Sequence, residues 1–172
     1  MTADELALSD SWLSSLYADL VGTICLFCGD QRVAEDVAQE SLIALWQRRA
    51  SIRDPRAWAF RFAFNTAKSA FRRRAAERRA LSRISHERPV IADQLAAIDR
   101  DVDLMRGLET LPQRQREAVL LHYLADLDTA QTARVMGCSA GAVKAHLARG
   151  LAALRRAGLA EASSVDENER AR

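Results

Sequence analysis

Cys25-Leu26-Phe27-Cys28 is the pair in this sequence that most directly suggests chemistry, since a CxxC can be a redox couple or half of a zinc site. Both thiols, however, fall within an apolar helical stripe of Leu13, Leu16, Tyr17, Leu20, Ile24 and Phe27, with neither a second CxxC nor a histidine nearby. They read as packing groups. Cys138 stands alone, and three unevenly placed cysteines form no disulfide framework. His86, His122 and His146 are scattered, without an HExxH or a Ser-His-Asp order, so no enzyme, bound metal or cofactor is expected. Three other sets are better placed. Glu35, Asp36, Gln39 and Glu40 gather acid on one side of a helix. Trp58, Arg61, Asn65, Lys68 and Arg72 recur every three or four residues, so an aromatic, an amide and three cations share a helical face, and Arg73 and Arg74 follow in the chain. Ser139, Ala140, Gly141, Lys144, Ala145, His146 and Arg149 combine small residues with flanking cations, as close approach to a DNA groove requires.

Periodicity and capping residues supply the elements that carry these sets. Asp10 or Ser11 can cap a first helix that Gly29 stops, and Asp30 can cap a second. In that second helix Val33, Val37, Leu42, Leu45 and Trp46 form the apolar side, and Ile43 shares the other side with Asp36, Gln39 and Glu40. Trp12 and Trp46 are expected as core aromatics. Asp54-Pro55 opens a long third helix reaching about Arg79, with Phe60, Phe64, Ala67 and Phe71 inward. The pattern loosens between Leu81 and Asp101, where Pro89 interrupts, and resumes from Val102 to Leu108. Leu111-Pro112 opens a helix in which Ala118, Val119, Leu121, His122 and Leu124 keep phase. Asp128 can cap a helix over 129–136, Gly137 suits a left-handed turn, and Ser139 can cap a last helix with Val143, Leu147, Leu151 and Leu154 inward. Helix, short Gly turn, helix is the helix-turn-helix pattern.

The chain is therefore expected to be all-α: two small helical domains, 10–81 and 102–158, joined by a flexible linker over 82–101, with a disordered tail over 159–172. Only 7 Gly and 3 Pro punctuate 172 residues, which leaves little material for hairpins. No apolar run approaches the roughly 20 residues of a membrane span, and the N-terminus is acidic where a signal peptide is basic. A cytoplasmic protein without membrane insertion is expected. The net charge of +2 hides segregation: residues 1–50 hold 3 basic and 8 acidic side chains, and residues 51–90 hold 11 and 3. Residues 129–158 carry Arg134, Lys144, Arg149, Arg155 and Arg156 and no acid. Two basic zones in a nearly neutral chain suit a polyanionic partner, which the acidic segment would repel.

AEDVAQESLIALW (34–46), RAWAFRFAFNTAKSAFRRR (56–74), LPQRQREAVLLHYL (111–124) and AQTARVMGCSAGAVKAHLARGLAALR (130–155) together resemble, in order and spacing, the bacterial extracytoplasmic-function (ECF) sigma factors, the short members of the sigma-70 family. The resemblance covers about residues 10–158. It implies a stress-response transcription initiation factor that binds core RNA polymerase, directs it to promoters and is restrained by an anti-sigma factor. It also implies that Glu35, Asp36, Gln39, Glu40 and Trp46 lie on the helix that docks on the clamp helices of the largest polymerase subunit. By the same likeness Trp58, Arg61, Asn65, Lys68 and Arg72–Arg74 belong to the helix that melts and reads the −10 element, and Ser139, Ala140, Gly141, Lys144, Ala145, His146 and Arg149 to the −35 unit. Ser69 stands where the family commonly has Asp, and Ala140, Ala142 and His146 replace larger or more basic residues. Without the resemblance, the residues leave open a free-standing helix-turn-helix repressor and a cysteine-based redox or metal sensor.

Overall fold

The computed structural model describes residues 9–81 and 99–158, except the side chains of residues 70, 71, 73–81 and 99–103. Of the linker expected over 82–101, residues 82–98, with His86, lie outside the described residues, as does the tail from 159, and residues 99–101 are already helical. All regular elements among those described are helical.

Helix α1 (Asp10–Cys28) starts one residue earlier than its sequence signals suggest, because Ser9, in extended backbone, accepts the Trp12 amide at 3.3 Å and takes the cap position. Gly29, at φ 70°, stops it by donating its amide to the Cys25 carbonyl at 2.7 Å, a left-handed closure that costs a glycine nothing. By length and composition α1 could cross a membrane, which corrects the expectation that no apolar run is long enough. Its apolarity has another use: Leu16, Leu20, Ile24 and Phe27 are buried against the two helices that follow. Helix α2 (Gln31–Arg48) is capped by Asp30 through the Val33 amide at 2.9 Å. After a 3-10 turn (Arg49–Ser51), α3 (Pro55–Leu81) opens on Asp54, whose Oδ1 accepts the Ala57 amide at 3.1 Å, with proline in the first turn where its missing N–H costs nothing. Phe60, Phe64 and Ala67 are fully buried, and Phe64 meets Phe27 edge-on with centroids 4.9 Å apart. Burying each phenyl ring contributes about 1.5–3 kcal/mol, more than any one of the caps in this three-helix layer.

The second unit begins with α4 (Asp99–Thr110), three residues before the boundary expected from periodicity, and continues with α5 (Gln113–Val119). The expected helical phase through Leu124 is not kept. Residues Leu120–Leu124 widen into a π turn, marked by the Ala125 amide donating to the Leu120 carbonyl at 3.0 Å. The extra residue in that turn carries Leu120 and Leu121 inward and leaves Tyr123 and Leu124 exposed. Helix α6 (Thr129–Met136) has a full capping box: Asp128 accepts the Gln131 amide at 2.7 Å and the Gln131 side chain accepts the Asp128 amide at 2.9 Å. Gly137, at φ 65°, turns the chain, and Ser139 caps α7 (Ala140–Arg156) through the Ala142 amide at 3.1 Å. Val143, Leu147 and Leu154 of α7 point inward as expected. Gly150 lets α7 approach α5 so closely that a Cβ there would lie 3.0 Å from Val119 Cγ2.

The two units share one continuous buried cluster, running from Leu16 through Phe64 to Leu121 and Leu154. Helix α6 packs on α3, and the π turn packs on α1.

Candidate nucleic-acid interface

Helix α7 presents its expected polar face to solvent. Ser139, Ala140, Gly141, Lys144 and Arg149 are exposed, while Ala142, Ala145 and His146 are half-buried, and His146 keeps its Nδ1 buried without a hydrogen-bond partner. A helix with a 17-residue span, small residues at its start and cations farther along can enter a major groove with its N-terminal end while Lys144 and Arg149 reach phosphates. Holding it at a fixed angle are the Gly137 turn and Arg114, whose Nη1 donates to the Met136 carbonyl at 2.9 Å and so closes the C-terminal end of α6.

On α3 the expected face is only partly open. Arg61, Asn65 and Arg72 are exposed, and the Arg72 guanidinium donates to Ser69 Oγ at 3.4 Å. Trp58 is half-buried, stacked on Phe62 with centroids 5.5 Å apart and covered by Arg48 at 5.9 Å from its ring. Lys68 is turned away from solvent: its ammonium is paired with Glu117 of α5, leaving 18% of its side chain exposed. The side chains of Arg73 and Arg74 lie outside the described residues. Sequence periodicity accounts for the exposure of Arg61, Asn65 and Arg72. It carries no information on a partner as remote along the chain as Glu117.

The acidic face of α2 has a feature that the residue pattern understates. Asp36, Gln39 and Glu40 are exposed and Glu35 is half-buried, its Oε1 accepting Gln31 Nε2 at 2.8 Å. Trp46, expected in the core, is instead 50% exposed, and Ile43 is 59% exposed. The core side of α2 is taken by Ala34, Val37, Ala38, Ser41, Ala44 and Leu45, and the helical spacing of those residues leaves Trp46 outward with Ile43. Arg49 lies over the Trp46 ring at 4.2 Å and donates to its carbonyl at 2.7 Å. This surface joins carboxylates to two large apolar groups, a combination suited to a protein partner and unsuited to DNA.

The cysteines behave as packing groups. Cys25 and Cys28 are half-buried rather than fully enclosed, and Cys28 Sγ donates to the Asp30 carbonyl at 3.5 Å. Burial, followed by the charges of Asp30 and Glu35, pushes the Cys25 thiol above its ordinary pKa, the reverse of what a reactive thiolate needs. Among the described residues no group of three or more His, Cys, Asp or Glu is placed to hold a metal.

Polar contacts between the two units converge on Asp54, Arg56 and Arg116. Asp54 Oδ2 accepts Gln131 Nε2 at 3.0 Å and Arg134 Nη2 at 2.9 Å. Burial raises the Asp54 pKa, but the hydrogen bonds from Gln131, the Ala57 amide and Arg134 outweigh it and hold the carboxyl below its ordinary value. Arg56 binds Asp19 at 2.9 Å and donates to the Ala125 carbonyl at 2.9 Å. Arg116 donates to the Phe27 carbonyl at 3.1 Å, supplying the cation that the last turn of α1 lacks. Burial lowers the Arg116 pKa, opposed by the charge of Glu109.

Comparison with known proteins places these surfaces in a family context. Residues 13–77 match the family model of Sigma-70 region 2, and residues 101–154 that of Sigma-70, region 4. The chain is 32% identical over 145 residues to the RNA polymerase sigma-E factor of Streptomyces coelicolor, covering 81% of each chain. It is 27% identical over 136 residues to the probable RNA polymerase sigma factor RfaY of Xanthomonas campestris pv. campestris; the match covers 73% of this chain and 34% of that relative, so the chain spans about a third of its length. In fold it is similar to the sigma factor RpoE solved in complex with the anti-sigma factor NepR from Bartonella quintana, with a TM-score of 0.70 and 22% identity, covering 88% of this chain and 96% of that one.

Proposed function

The chain belongs to the sigma-70 family of RNA polymerase sigma factors, and from that premise we propose that it is a cytoplasmic transcription initiation factor of the ECF type, without catalytic activity of its own. The observation that carries this reading is the separation of two chemically opposite surfaces on one fold. The acidic and apolar face of α2, with Asp36, Gln39, Glu40, Ile43 and Trp46, takes the clamp helices of core polymerase. The face of α3 with Arg61, Asn65 and Arg72 takes the −10 strand once it is unpaired, with Arg73 and Arg74 next in the chain, Trp58 beside it and Lys68 available when its present partner lets go. The exposed end of α7, with Ser139, Ala140, Gly141, Lys144, Ala145, His146 and Arg149, takes the −35 duplex. Strand opening follows from preferential capture of the open form, because only unpaired bases can enter the α3 face. An anti-sigma protein is a fitting restraint, in keeping with the complex in which the similar RpoE was solved.

Reversing charge on α2 tests the assignment. Asp36→Lys and Glu40→Lys should each weaken capture of core polymerase at least about fivefold while leaving the helical signal and the melting temperature almost unchanged, since exposed charges support a fold by at most about 1 kcal/mol. Unchanged capture would remove α2 as the docking helix.

A further inference from the structure

Few side-chain atoms on α7 can read a base. Ala140, Gly141, Ala142 and Ala145 carry no polar side-chain group, and the Ser139 hydroxyl oxygen is committed to the Ala142 amide at 3.1 Å. Lys144, His146 and Arg149 remain. Lys144 and Arg149 are exposed on long, flexible stems, which suit phosphates. His146 is different: it is half-buried between the buried Val143 and Leu147, so its ring is held in place before any DNA arrives. The same burial decides where its proton sits. Nδ1 is enclosed with no hydrogen-bond partner, and Nε2 is not so enclosed. An enclosed N–H without an acceptor is a costlier orphan than a bare nitrogen, so the neutral ring carries its proton on Nε2. The open edge of the ring is therefore a hydrogen-bond donor.

We propose that His146 is a specificity-determining residue of the duplex-reading surface, its Nε2–H donating to N7 of one guanine in the major groove. The inference rests on the functional reading of α7 given above. Helical side chains lean over the preceding turn, which carries His146 toward Ala142, where a lone methyl group leaves room for a base edge. Guanine sets two acceptors, N7 and O6, side by side in the major groove. Adenine places a donor beside its N7, cytosine offers a donor, and thymine combines one acceptor with a methyl group. A fixed donor thus favours guanine over the other three. Lys144 and Arg149, before and after His146 along the helix, add positive charge that favours the same electronegative edge.

The test uses the full chain with core polymerase on a pool of duplex promoter fragments randomised across the −35 element, and the bound fragments are sequenced. Wild type should enrich guanine at one position by about fivefold over the other bases, the discrimination that one hydrogen bond supports. His146→Ala should flatten the preference at that position alone. His146→Gln, whose amide nitrogen reaches about as far as Nε2 and also donates, should retain it. Replacing that guanine by 7-deazaguanine, which pairs normally but lacks N7, should weaken wild-type binding about fivefold and leave binding by His146→Ala unchanged. An equal loss at every position in His146→Ala would make the residue a packing group and overturn the proposal. So would a His146-dependent preference for adenine or cytosine, which places the proton on Nδ1, or indifference of the wild type to 7-deazaguanine. Failure of the reading of α7 shows separately: Lys144→Ala and Arg149→Ala would then also leave −35 binding unchanged, and the inference falls with it. If those two weaken binding while His146→Ala alters no preference, the inference alone fails.

Discussion

Asp54 serves two helices at once: one oxygen caps α3, and the other accepts Gln131 and Arg134 of α6. Its carboxyl lies below the ordinary range, so the stabilisation it brings is complete above the unfolded-state value near 4 and is lost as pH falls through the lower folded-state value. Wild type should therefore be more stable than Asp54→Asn at pH 7, by about 1 kcal/mol or less at this partly exposed site, and the gap should shrink as pH falls below the unfolded-state value. Thermal melts across that range check it, and a gap that widens on acidification would contradict the assignment. Cys25 is shifted the other way, so it should react with a disulfide reagent at pH 7 at least about tenfold more slowly in the native protein than after unfolding. Equal rates would reopen a sensor role. At this scale the sequence discloses the types and faces of the site residues well: the exposure of Asp36, Glu40, Arg61, Asn65, Lys144 and Arg149 follows from periodicity alone. It misplaces Trp46, because bulk suggests burial when Val37, Ser41, Ala44 and Leu45 already fill the side of α2 that faces the core. Nor does it reveal that Lys68 faces Glu117, a pairing that depends on how the two units meet.

Glycines in the helices separate packing from propensity. Gly22 of α1 is exposed, and a Cβ added to it would meet nothing within 4 Å, whereas Gly150 of α7 is buried against Val119 and Gln115. Gly22→Ala should stabilise the protein by about 0.5–1 kcal/mol through helix propensity. Gly150→Ala should destabilise it by about 1–3 kcal/mol, since Val119 must move to admit the new methyl group. Urea midpoints of the two variants give both signs, and a stabilising Gly150→Ala would show that α5 and α7 are loosely packed. Capping signals make the elements largely legible in sequence: Asp30, Asp54, Asp128 and Ser139 each stand at the start of the helix they announce, and Gly29 and Gly137 end theirs. The π turn at Leu120–Leu124 escapes such reading. Its apolar residues fit an α-helical phase almost as well, and the choice is made by the burial of Leu120 and Leu121 in the shared core.

For the whole molecule, two helical units and a helix-turn-helix are legible in the order of the motifs, but their common core is not. The hydrogen bonds that join them, from Arg116 to Phe27 and from Arg134 to Asp54, link residues remote in sequence and leave no periodic trace. DNA binding should divide along the same units. Lys144→Ala or Arg149→Ala should lower the salt dependence of duplex binding by about 0.9 in the log-log slope for each phosphate the side chain neutralises, and should leave single-strand binding unaffected. A slope that does not move would take those side chains off the backbone. The central claim, that this chain directs polymerase to promoters, is tested most directly by transcription in vitro from a library of duplex fragments, with core polymerase supplied alone or with this protein. Discrete new start sites should appear that require the protein, share sequence upstream at two separated positions, and are lost with Asn65→Ala but recovered on templates already opened around the start. Binding of the protein to those fragments with no polymerase-dependent start on any of them would contradict the claim and favour a repressor.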